Sequence, residues 1–82
     1  MHEVPIEDSI DLHTFQPREV RSVVEEYLYQ AKLKGFMEVR IIHGRGIGVQ
    51  REIVRSILFE HPDVSSFFDA PDRGSTRVIL KA

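Results

Sequence analysis

The order of hydrophobic patterns along this 82-residue chain predicts an α/β two-layer sandwich of βαβαββ order. Three observations carry that prediction. Residues 18–34 place Val20, Val23, Val24, Tyr27, Leu28 and Ala31 on one stripe at helical spacing. Short alternating apolar runs lie on either side of that stripe, the signature of half-buried strands. Between the second run and the next amphipathic segment stands a glycine-rich turn, Gly44-Arg45-Gly46-Ile47-Gly48.

Each element has its own local warrant. Residues 1–8 are polar, contain Pro5 and show no period, so they read as a flexible lead-in, leaving 9–82 as the domain. Residues 9–13 alternate, with Ile10 and Leu12 on one face and Asp11 and His13 on the other. Pro17 suits the first position of a helix. Glu19 in its first turn and Lys32 and Lys34 in its last complement the helix dipole, and Gly35 suits its left-handed end. Residues 38–43 form a second strand with Val39 and Ile41 inward. A second helix follows over about 49–60, with Ile53, Val54, Ile57 and Leu58 inward and Arg51, Glu52 and Arg55 outward. His61-Pro62 ends it, because proline disfavours helix in the residue before it. Residues 64–68 and 76–80 supply the third and fourth strands. Adjacent strand residues face opposite ways, so Phe67 and Phe68 do not both enter the core.

Connections through helices suggest parallel pairing of strands one with two and two with three, and the short last loop suggests an antiparallel pair. The expected product is a four-stranded mixed sheet with both helices on one face. Asp11, Arg40, Arg77 and Lys81 then lie on the side away from the helices.

Composition narrows the function classes. Cysteine is absent, which excludes disulfides, zinc–thiolate sites and a cysteine nucleophile and is compatible with a cytoplasmic location. No run reaches the ~20 apolar residues of a membrane helix, and the N-terminus lacks the pattern of a signal peptide. The net charge of −2 argues against a protein that coats nucleic acid by bulk electrostatics. The charge is unevenly spread, however: residues 1–35 hold four Lys/Arg against seven Asp/Glu, and the tail from Arg73 holds three against none.

The chemistry-bearing residues gather at strand ends. His13 ends the first strand and His43 the second, so parallel neighbours put both imidazoles at the carboxyl edge, where open α/β sheets bind ligands. One histidine as base and one as acid suit RNA cleavage, in which a 2′-hydroxyl loses a proton and a leaving oxygen gains one. Asp11 is a candidate metal ligand, for a divalent ion such as Mg²⁺, or an orienter of His13. The turn matches neither the P-loop nor the dinucleotide fingerprint, which sets ATP and NAD aside. Its glycines and the helix start behind it suit a phosphate, with Arg45 as side-chain donor. Gly44, Arg45, Gly46 and Gly48 are therefore candidate nucleic-acid contacts, together with Arg40, Arg51, Arg77 and Lys81. The plainer alternatives are a turn that needs glycine for its geometry alone and histidines held by structural hydrogen bonds.

Taken together, Ile10-Asp11-Leu12-His13 and His43-Gly44-Arg45-Gly46 resemble the paired motifs of the small MutS-related (Smr) domain family. That family carries a Leu-Asp-Leu-His-Gly motif and, about thirty residues on, a Thr- or His-Gly-x-Gly motif. The resemblance runs from about Ser9 to Leu80. It implies a fold like the C-terminal domain of bacterial translation initiation factor three, nucleic-acid binding, and in several members endonuclease activity on DNA or RNA. Asp11, His13 and His43 would then be the catalytic set. Thr14 departs from the family's usual glycine, which bears on catalysis more than on binding. Smr domains often end larger proteins, so this chain reads either as a stand-alone domain or as part of a larger parent protein. A non-catalytic nucleic-acid-binding module and, less favoured, a protein-interaction domain are the alternatives to a nuclease.

Overall fold

The computed structural model describes residues 6–44, 48–72 and 74–82. Its elements are β1 (Ser9–Asp11), α1 (Pro17–Leu33), β2 (Glu38–Ile42), α2 (Val49–Glu60), β3 (Val64–Asp69) and β4 (Ser75–Leu80). The four strands form one mixed sheet in the order β1-β2-β4-β3. β1 and β2 pair in parallel, as expected from the helix between them. β2 and β3 do not pair. β4 lies between them and runs antiparallel to both, so the expected pairing of strands two and three is corrected. The short 70–74 connection holds β3 and β4 together as a hairpin, whereas the α2 connection is long enough to step over a strand.

Both helices cover one face. Leu12, Val20, Val24, Leu28, Ala31, Ile41, Val54 and Val78 are fully buried in a single cluster between the layers. Helix α1 starts at Pro17, with the Glu19 carboxylate accepting the Gln16 N–H at 2.8 Å. It ends in a Schellman turn: Phe36 N–H donates to Ala31 O at 3.1 Å and Gly35 N–H to Lys32 O at 3.0 Å. That turn needs the left-handed φ of +82° that Gly35 adopts. Lys32 also reaches Asp63 at 2.6 Å, tying the end of α1 to the loop after α2.

A register shift between Val64 and Ser66 in β3 turns Phe67 onto the core and leaves Phe68 48% exposed on the open face. The segment read as a flexible lead-in is tied down over residues 6–8. Ile6 packs against the core, Glu7 O accepts the Tyr27 hydroxyl at 2.7 Å, and Asp8 O accepts the Arg40 N–H at 2.9 Å. Burial, with the charges of Asp8 and Glu7 beside it, pushes the Tyr27 phenol up to about 12. Residues 1–5 lie outside the described residues.

Candidate functional site

The strand ends at β1 and β2 form the candidate site. β1 leaves its ladder at Asp11 because that side chain captures the next backbone donor but one: Asp11 Oδ1 accepts the His13 N–H at 2.9 Å. Leu12 stays fully buried, and Phe15 N–H closes a turn onto Leu12 O at 2.9 Å. His13 and Thr14 are thereby presented at the tip, both exposed.

The same Asp11 oxygen lies 2.7 Å from His13 Nδ1. A carboxylate at Nδ1 fixes the tautomer with that nitrogen protonated, so Nε2 carries the free lone pair. The side chains are 69% and 48% exposed for His13 and Asp11, open to an incoming substrate. The His13 backbone N–H, and next the His13 ring, hold the Asp11 carboxyl below its usual range and keep it anionic.

His43 is placed differently. It is 7% exposed, with Nε2 at 2.9 Å from Thr76 Oγ1 and Nδ1 at 3.1 Å from Gly44 O. Its own N–H and that of Gly44 both donate to Gly74 O, at 3.0 and 2.9 Å. The parallel pairing of Asp11 with Ile42 brings both histidines to one sheet edge, one facing solvent and one locked against β4.

Gly44 and Gly48 adopt left-handed φ of +82° and +87°, and Gly48 caps α2 with no side-chain bond to its first amides. Arg45 and Gly46 lie outside the described residues. Arg51, in the first turn of α2, pairs with Asp69, which also accepts from Arg55 at 3.3 Å. The Arg51 guanidinium, with the Asp69 desolvation acting against it, holds the Asp69 carboxyl low. Arg40 and Arg77 sit mid-sheet on the open face in direct register. Lys81 lies at the opposite end, since the six steps from Ser75 to Lys81 span about 20 Å at ~3.3 Å per residue. Lys81 is thus separated from the histidine edge.

Three residues at this edge were missed in the sequence. Thr76 holds His43; Asp72 accepts the Gly74 N–H at 2.8 Å and shapes the loop under it; Gln50 donates to Phe15 O at 2.7 Å and braces the tip that carries His13. Thr76 alone gave a signal: it shares the inward parity of Val78 and Leu80, where a hydroxyl needs a partner.

The fold and this edge together define a two-layer α/β domain that presents a carboxylate-oriented histidine at the sheet edge where β2 leads into His43 and Gly44. The chain belongs to the Smr domain family, whose model matches residues 10–81. Among its relatives, the endonuclease MutS2 of Helicobacter pylori is 40% identical over 62 residues, covering 76% of this chain and 8% of the relative. That of Caldicellulosiruptor bescii is 39% identical over 80 residues, covering 93% of this chain and 10% of the relative. The chain thus spans a tenth or less of the length of these curated relatives. The Smr domain of Thermus thermophilus MutS2 superposes with a TM-score of 0.86 at 32% identity, covering 90% of this chain and 98% of that one. YdaL of Escherichia coli, a stand-alone small MutS-related protein, gives 0.87 at 28%, covering 95% and 67%.

Proposed function

We propose that the chain binds nucleic acid and cleaves its phosphodiester backbone, with His13 as the proton-transferring residue and Asp11 as its orienter. The observation that carries this reading is the Asp11 Oδ1–His13 Nδ1 contact of 2.7 Å, which leaves Nε2 as a free base at an exposed edge. Nε2 takes the proton of the attacking group, a 2′-hydroxyl in RNA or a water, and returns it to the leaving oxygen or to solvent. The resulting imidazolium is stabilised by the Asp11 carboxylate. Membership of a family whose relatives are named endonucleases supports the same reaction class.

In this reading His43 is a positioning residue. Its ring is buried against Thr76 and Gly44, so it holds the start of β4 and Gly44 in place instead of supplying the second proton carrier. The backbone amides at the start of α2, with Arg45 and Gly46, would hold the phosphate. Mg²⁺ commonly uses one or two carboxylates with waters and substrate phosphates, and Asp11, whose two bonds to His13 both fall on Oδ1, would offer one beside His13. Among the described residues no helix is long and apolar enough to cross a membrane. With the absence of cysteine, this fits work in a reducing cytoplasm, alone or as the terminal domain of a larger parent protein.

The test is cleavage of end-labelled single-stranded RNA and supercoiled DNA, with and without Mg²⁺, by the parent and His13→Ala proteins. A loss of about 100-fold or more in the variant is expected for a general base. Parent-rate cleavage by His13→Ala would sink the assignment. Binding of the same nucleic acids with no cutting by either protein would favour a non-catalytic binding module.

A further inference from the structure

The sheet face opposite the helices carries a transverse row that the catalytic reading does not use. Ser9 of β1 is in register with Arg40 of β2, Arg40 with Arg77 of β4, and Arg77 with Phe68 of β3. Residues in register share a face, so all four side chains project from the uncovered side. At ~4.8 Å per strand the row spans about 15 Å. It presents two guanidinium groups between a hydroxyl at one end and a half-exposed phenyl ring at the other.

Two grooves meet at this row. One, of about 280 Å³, is lined by Asp8, Ser9, Glu38, Val39, Arg40 and Arg77. The other, of about 470 Å³, runs from Arg40 past Ile42 and Gly44 to Pro71, Asp72 and Gly74. Arg40 lines both, so the two grooves adjoin at its side chain. The second groove lies beside the candidate site, because Ile42 in its lining is the register partner of Asp11, and Asp11 stands only two residues, about 7 Å, beyond Ser9.

We propose that this open face is the path of a single-stranded nucleic acid, with Arg40 and Arg77 on consecutive phosphates and Phe68 as a stacking surface for a base. The reading rests on the nucleic-acid assignment above and names its substrate class. Three features favour a single strand over a duplex. The row is one line of register partners across the sheet; its aromatic member needs an unstacked base; and the net charge of −2 gives little non-specific pull on duplex. Arg40 makes no ion pair within 4 Å among the described residues, though its charge reaches the Asp72 carboxylate in the second groove, whereas Arg77 is held by Glu38 at 2.7 Å. Glu38 is thus a built-in competitor for the phosphate at Arg77.

The experiment is fluorescence anisotropy with labelled single strands of about 12 nucleotides, as DNA and as RNA, and with the matching duplexes. The His13→Ala protein is used throughout, so that cleavage does not distort the titration. Phe68→Ala is expected to weaken single-strand binding about ten-fold and Phe68→Tyr to restore most of it. Arg40→Ala should lower the log–log salt slope by about 0.7, the share of one phosphate on a single strand. Glu38→Gln should tighten binding several-fold. Phe68 is half exposed, so its variant should fold, which thermal melting checks. Unchanged binding by Phe68→Ala and Arg40→Ala, preference for duplex, or no binding to either form overturns the proposal. If cleavage depends on His13 while the row variants bind as the parent does, the row fails and the catalytic reading stands. If the row variants lose binding while His13→Ala cuts at the parent rate, the reverse holds.

Discussion

At the scale of single residues, two histidines at one sheet edge acquire different roles from their neighbours. His13 follows an exposed turn and has a carboxylate on one ring nitrogen; His43 sits under β4 with both ring nitrogens engaged within the fold. Replacing Asp11 by Asn keeps a side-chain oxygen for the turn but removes the charge that stabilises an imidazolium. Cleavage by Asp11→Asn should fall by about 10- to 100-fold with little change in thermal stability, read from the single-turnover rate beside a melting curve. Thr76→Val conserves shape but leaves His43 Nε2 without a partner in a buried position. It should cost about 1–3 kcal/mol in urea unfolding. An unchanged midpoint would mean that water reaches His43 and that the Thr76 contact is incidental.

At the scale of elements, the legible parts were those whose cause is local. The stripe from Val20 to Ala31 and the Pro17 and Gly35 that bound it are visible because helix period and capping need only near neighbours. Gly35→Ala tests that end directly. A Cβ there meets nothing within 4 Å, so the cost is the left-handed φ of +82° alone, about 1–2 kcal/mol in chemical unfolding. The Asp11-x-His13 pair was legible as two residues on one face of a strand; its conversion into a turn was not, because that needs Asp11 to take the His13 N–H. The position of β4 between β2 and β3 was illegible for a different reason. Strand alternation says which face a residue uses and nothing about which strand lies beside it. Thr76 escaped notice for the same cause, since its meaning comes from His43, 33 residues earlier.

At the scale of the whole molecule, the elements are cross-linked at the periphery by carboxylates. Asp63 bonds Lys32 and joins α1 to the start of β3; Asp69 bonds Arg51 and Arg55 and joins α2 to its end; Asp72 receives Gly74 and shapes the hairpin loop. Each is held below the ordinary carboxylate range, Asp63 by Lys32, Asp69 by Arg51, and Asp72 by the Gly74 N–H. Asp11 joins them through the His13 N–H. The sign of the linkage follows. A carboxyl with a depressed folded-state pKa is protonated later in the folded chain than in the unfolded one as pH falls. The unfolded state therefore binds more protons in that window, and stability rises with pH. The contribution is fully present above the unfolded value near 3.9 and is lost as pH drops through the folded-state values below it. Asp11 and Asp72 are exposed and Asp63 and Asp69 half-exposed, so salt screens their charge pairs and each contributes modestly. The expected outcome is a urea midpoint that holds steady through mildly acidic pH and then falls below about pH 4. Asp63→Asn and Asp69→Asn should each flatten that fall, because an amide binds no proton in this range. Asp72→Asn should flatten it too, but with less response to added salt, since the Gly74 N–H is the main cause that holds Asp72 down and the Arg40 charge a lesser one. If Asp63→Asn and Asp69→Asn leave the slope of midpoint against pH unchanged, these carboxylates do not link the folded state to protons.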